Sequence, residues 1–125
     1  MQNLNLTASH STPSVDFNTA TGIFILKGRS IHENPSIFYE PLLEWLDGYI
    51  ASPRPYTTLH IHLEYFNTSS SKHLLDVLKK VKTLTERGNS VRIIWQYEAE
   101  DEDIKEAGED YSAIIGYPFE FLEKN

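Results

Sequence analysis

The spacing of apolar residues changes period several times along the chain, and each change marks an element. From Thr57 to Phe66 the residues alternate: Leu59, Ile61, Leu63 and Tyr65 share one parity, His60, His62 and Glu64 the other. Such alternation predicts a strand with one buried and one wet face. Shortly after it, Leu74, Leu75, Val77, Leu78, Val81 and Leu84 recur at spacings of three and four, which predicts a helix with one buried stripe. Gly88-Asn89 then supplies a residue able to end that helix in a left-handed conformation. Ser90 to Tyr97 returns to alternation, with Val91, Ile93, Trp95 and Tyr97 on one face and Arg92, Ile94 and Gln96 on the other.

The flanking regions extend the pattern. Val15-Asp16-Phe17 and Ile23 to Lys27 read as a hairpin across the polar loop Asn18 to Gly22. Between Ser36 and Ile50, the positions Phe38, Leu42, Trp45, Leu46 and Tyr49 have helical spacing. Pro41 lacks a backbone N–H and crowds the preceding turn, so the start of this helix is expected near it. Ser52-Pro53-Arg54-Pro55 is a connecting loop. Asp101 to Tyr111 reads as a short helix with an acidic start, and Pro118 to Leu122 as a terminal strand, at an edge because proline begins it. The order strand, strand, helix, strand, helix, strand, helix, strand predicts an α/β fold: a mixed sheet of about five strands, joined by crossover helices mainly on one face. Polar residues on one side of two neighbouring strands point to a second face that is solvated or open to a partner. A chain of 125 residues accommodates this as one domain, residues 1–125.

Composition narrows the function. Eighteen acidic against eleven basic side chains give a formal charge of −7, which disfavours nucleic acid and anionic membrane surfaces. The one basic cluster, Lys79, Lys80 and Lys82, falls on the solvated side of a predicted helix. There is no cysteine, so thiolate chemistry and disulfides are excluded. Met1 to His10 lacks the charged and apolar segments of a signal peptide, and no run approaches the roughly 18 apolar residues of a membrane span. The cytoplasm is the expected compartment.

Catalytic patterns are sparse. His60, His62 and Glu64 share a strand face where a metal could be held, the basis for an alternative reading as a small metal-assisted hydrolase. Ordinary polar residues on a wet face explain the same spacing. Asp101-Glu102-Asp103 lacks the alternation and glycine of a calcium loop and suits a helix start. No phosphate-binding glycine loop and no nucleophile elbow is present. The expectation is a non-enzyme with no cofactor and no metal; a small ligand on the open sheet face is a second alternative.

The turn Asn67-Thr68-Ser69-Ser70-Ser71-Lys72 stands out, leading from the clearest strand into the clearest helix. Asn, Thr and Ser all cap helices, each typically contributing about 1 kcal/mol, but one cap does not need five candidates. A helix amino terminus also stabilises added negative charge, which makes a phosphorylated hydroxyl the functional alternative.

The segment Tyr65-Phe66-Asn67-Thr68-Ser69-Ser70-Ser71-Lys72 resembles the signature of the SiaC family of bacterial regulatory phosphoproteins. Similar segments occur in order along nearly the whole chain: Ser11-Thr12-Pro13, Gly22 with the following strand, Gly28-Arg29-Ser30, Glu33-Asn34, Phe38 with Pro41 and Trp45-Leu46, Trp95-Gln96-Tyr97, Asp101-Glu102, and Ala107-Gly108-Glu109-Asp110. Ile31-His32 departs from the Tyr-Pro of the family pattern. The resemblance implies a fold similar to the STAS, or anti-sigma factor antagonist, domain and a role in partner switching. It implies that Thr68 is phosphorylated by a cognate protein kinase and released by a PP2C-type phosphatase. The unphosphorylated form would bind and activate a target such as a diguanylate cyclase. Asn67, Ser69, Ser70, Ser71 and Lys72 are expected to shape or line the partner surface, with Gly28, Arg29, Ser30, Glu33 and Asn34 beside it. Trp45 and Trp95 belong to apolar stripes and are expected in the core.

Overall fold

The alternating stretch at residues 57–66 lies in the middle of the sheet. The structure is a computed structural model describing residues 1–125. Its strands are β1 (Leu4–Leu6), β2 (Ser14–Asn18), β3 (Ile23–Ser30), β4 (Tyr56–Phe66), β5 (Ser90–Glu98) and β6 (Glu120–Lys124). Its helices are α1 (Ser36–Ala51), α2 (Thr68–Lys82) and α3 (Glu102–Ile115), with a 3-10 turn over Thr83–Arg87. The six strands lie in sequence order; β1, β2 and β3 pair antiparallel, while β3 through β6 pair parallel. Each parallel step is bridged by one helix, because parallel neighbours need a crossover.

One parity of the strands faces the helices. Phe17, Phe24, Leu26, Leu59, Ile61, Leu63, Ile93 and Trp95 pack against Leu42, Leu46, Leu74, Leu78 and Ile104 in a single core. Trp95 is buried and its indole N–H donates to the Ile104 carbonyl at 2.8 Å. Trp45 is only half-buried, and its N–H donates to the Gln2 carbonyl at 3.0 Å, pinning the amino-terminal segment. The opposite parity, including Lys27, His60, Glu64 and Gln96, has no helix over it. The α/β class, the mixed sheet and the one-sided helix layer are those expected, and they match a STAS-like fold.

Several boundaries differ from expectation, each for a physical reason. The sheet has six strands rather than about five, since β1, three residues long, is too short to show a period. Helix α1 starts at Ser36 and carries Pro41 inside it. Ile37 and Pro41 both lie on its exposed side, so the carbonyl that Pro41 leaves unbonded faces water. Helix α3 runs four residues past Tyr111 to Ile115, where Gly116 at φ 67° ends it. Strand β6 begins at Glu120, two residues later than expected, and forms one edge of the sheet, as expected.

The difference that matters most for the site is in β4. Gly28 pairs with Leu63 but Arg29 pairs with Tyr65, so one extra residue, Glu64, is inserted as a bulge. The parity flips there. Tyr65 turns outward at 54% exposure, while Phe66 turns inward against Trp95 and Tyr111. The apolar alternation through Tyr65 therefore stops at Leu63.

Candidate functional site

Asn67 organises the turn from β4 into α2. Its backbone is extended and its side-chain Oδ1 accepts the Ser70 backbone N–H at 2.9 Å, filling the N-cap role. Its own N–H donates to the Ser30 carbonyl at 3.0 Å, and its Nδ2 donates to the His32 carbonyl at 3.4 Å. The loop after β3 is thereby tied to the cap, which places Arg29, Glu33 and Asn34 on the exposed surface near the turn.

The hydroxyls of the turn separate by environment. Ser69 Oγ donates to Asn67 Oδ1 at 3.2 Å, and Ser71 Oγ donates to the Thr68 carbonyl at 2.6 Å. Ser70 is fully buried and its Oγ has no hydrogen-bond partner. Thr68, the first residue of α2, is exposed and its hydroxyl stands outside this bonding. The α2 amino terminus also has no acidic residue in its first turn, so its partial positive charge is uncompensated by the chain.

Not all the expected neighbours face outward. Ser70 and Ser30 are interior, and Ser30 Oγ bonds the Tyr39 hydroxyl at 2.8 Å. Burial pushes the Tyr39 phenol up to about 12, against the pull of that hydrogen bond. His73, one turn into α2, stacks on the Tyr39 ring with centroids 5.5 Å apart, joining α2 to α1. Gly28 lines a cavity on the open face of the sheet, away from the turn. Its φ of 125° is a backbone region that side chains rarely adopt, so glycine is required there.

A groove missed by sequence reading lies beside the turn. It has a volume of about 380 Å³ between α2 and α3 and is lined by Phe66, Leu75, Ala107, Tyr111 and Ile114, with Lys72 and Asp110 as its charged members. Ile114 is 60% exposed, an apolar side chain without cover. The Tyr111 hydroxyl donates to the Ser71 carbonyl at 2.8 Å, fastening α3 to the first turn of α2, and burial raises its pKa. The signal in the sequence was slight: Tyr111 closed the expected helix, and Ile114 lay beyond it.

On the open face, His60 and His62 lie together as the alternation predicted. His60 Nε2 bonds Gln96 Oε1 at 2.7 Å, and the bulge sets Glu64 apart from the strand register. No group of three or more His, Asp and Glu side chains is placed to share a metal. No helix is long and apolar enough to cross a membrane.

Comparison with known proteins places this geometry. The chain is 26% identical over 119 residues to an uncharacterized protein of Pseudomonas aeruginosa strain UCBPP-PA14, covering 95% of this chain and 94% of the relative. It superposes on SiaC of Pseudomonas aeruginosa with a TM-score of 0.89 at 24% identity, covering 99% of this chain and 100% of that one. A further structure, the diguanylate cyclase SiaD in complex with its activator SiaC from the same organism, matches with a TM-score of 0.89 at 25% identity, over 97% of this chain and 99% of that one. The model of the SiaC family of regulatory phosphoproteins matches residues 6–124. With that match across nearly its whole length, the chain belongs to the SiaC family of regulatory phosphoproteins.

Proposed function

We propose that this chain is a phosphorylation-controlled partner-switching regulator whose switch is Thr68, and that its unphosphorylated form binds and activates a diguanylate cyclase. The observation that carries the reading is the exposure of the Thr68 hydroxyl at the head of a helix already capped by Asn67. Modification there removes no hydrogen bond the fold depends on. A phosphate brings roughly −1.5 to −2 charges to a helix end that favours them, so the fold tolerates it. The effect falls on the partner surface instead.

That surface comprises the turn, the exposed Lys72, and the apolar groove between α2 and α3, with Arg29, Glu33 and Asn34 on its other flank. A target side chain buried in the groove sits close to Ser71, hence close to any phosphate on Thr68. Docking then desolvates the phosphate or repels an acidic partner, and the complex dissociates. A cognate kinase adds the phosphate and a PP2C-type phosphatase removes it. The chain itself contributes no catalytic group to the reaction. Support for the cyclase comes from the relative whose complex with SiaD describes SiaC as its activator.

The test is site mapping by mass spectrometry after incubation of the full chain with its source lysate and ATP. Phosphate is expected on Thr68, and Thr68→Ala should abolish it while keeping partner binding. Phosphate found only at other residues contradicts the assignment.

A further inference from the structure

The open face of the sheet carries polar groups that the switch does not use. Two adjoining cavities of about 260 and 240 Å³ share Lys27, His62 and Lys124. The first reaches Glu64 and Glu98, and the second reaches Ile25 and Gln96. Each is smaller than the roughly 300–1,000 Å³ of sites for drug-sized ligands, which limits an occupant to a small metabolite.

His62 is 7% exposed, yet no protein group hydrogen-bonds its ring, whereas His60 beside it is held by Gln96 at 2.7 Å. Ser70 Oγ is the one sealed side-chain polar atom without a partner, so the His62 ring nitrogens stay open to water at the two cavities that His62 lines. Burial, and then the nearby Lys124, holds the imidazole below its ordinary range, with Lys27 and His60 acting the same way and Glu98 opposing them. The imidazole is therefore neutral near pH 7 and retains one N–H to donate. The ion pairs of the chain are Lys80–Asp47 and Arg92–Glu120. Lys27, Lys124, Glu64 and Glu98 thus meet at one cavity without pairing among themselves.

We infer that this cavity binds a small zwitterion of the α-amino-acid class, its carboxylate received by Lys27, Lys124 and the His62 N–H, and its ammonium by Glu64 and Glu98. A simple anion meets two carboxylates here, and a simple cation meets two ammonium groups. A ligand bearing both charges satisfies the whole set. The amino-acid side chain extends into the adjoining cavity beside Ile25 and Gln96.

The experiment is NMR of the His62 ring protons in the full chain, with the twenty amino acids titrated singly and acetate and methylammonium as single-charge controls. At least one amino acid should shift the His62 resonances saturably, with half-saturation at least tenfold below that of either control. Lys27→Gln and Glu98→Gln, both folded by circular dichroism, should each weaken that binding tenfold or more. Thr68→Ala should leave it unchanged, since the site is independent of the switch. Absence of a saturable shift with every amino acid, acetate binding as tightly as the best of them, or undiminished binding by both variants overturns the proposal.

Discussion

Helices α2 and α3 begin alike and then diverge. In each an Asx side chain caps the helix by accepting the backbone N–H three residues on, Asn67 from Ser70 at 2.9 Å and Asp101 from Ile104 at 3.1 Å. The first turn of α3 then carries Glu102 and Asp103, whereas that of α2 carries hydroxyls and no acid. The positive end of α3 is already compensated by the chain, and the positive end of α2 is left for a charge supplied from outside. Seven residues after its cap, α2 buries Leu74 and α3 buries Gly108. The same face of two similar helices thus meets different neighbours: Trp95 fills the space over Gly108.

The largest expected effect follows from that last contrast. A Cβ at Gly108 would lie 2.5 Å from the Trp95 indole, so Gly108→Ala should lower stability by about 1–3 kcal/mol despite alanine's better helix propensity. Chemical denaturation measures it; an unchanged midpoint would show that Trp95 moves freely. Next are the caps. Asn67→Ala should cost about 1–2 kcal/mol, more than the roughly 1 kcal/mol of Asp101→Ala, because Asn67 also bonds the His32 carbonyl. Equal losses would mean that the tie to the loop after β3 contributes nothing.

Charge at the two helix starts should act with opposite sign. Thr68→Glu is expected to stabilise the chain by about 0.3–1 kcal/mol at low salt, and Glu102→Gln to destabilise it by a similar amount, both fading as salt rises. Destabilisation by Thr68→Glu would remove the argument that the fold tolerates a phosphate there. The smallest effect concerns Ser70, whose buried Oγ lacks a partner. Ser70→Ala should be neutral or stabilising by up to about 1 kcal/mol, since it removes an unsatisfied polar group. A loss of 1 kcal/mol or more would reveal a bond to Ser70 that the structure lacks.

Periodicity carried most of this architecture, because one-sided burial imprints itself locally on strands and helices. The bulge at Glu64 left no trace, since Tyr65 is as acceptable as Phe66 to a pattern of apolar residues, and only the pairing with Arg29 decides which turns inward. The groove was hidden for a related reason. It exists where Leu75 and Tyr111, 36 positions apart, meet across two helices. The turn itself was legible as a helix start, and the family resemblance singled out Thr68. The geometry engages Asn67, Ser69 and Ser71 in side-chain hydrogen bonds, buries Ser70 and leaves Thr68 exposed. The shared face of His60 and His62 was also legible, but not the burial of His62, which depends on neighbours supplied by distant parts of the chain.

The uncompensated start of α2 is the centre of this account, and one titration tests it most directly. The full chain, unphosphorylated and stoichiometrically phosphorylated at Thr68, is added to a diguanylate cyclase, the target proposed for it, while the cyclase rate is followed. The unphosphorylated form should raise the rate saturably, and the phosphorylated form should need at least tenfold more protein for the same rate. Equal activation by the two forms would contradict the assignment of Thr68 as the switch.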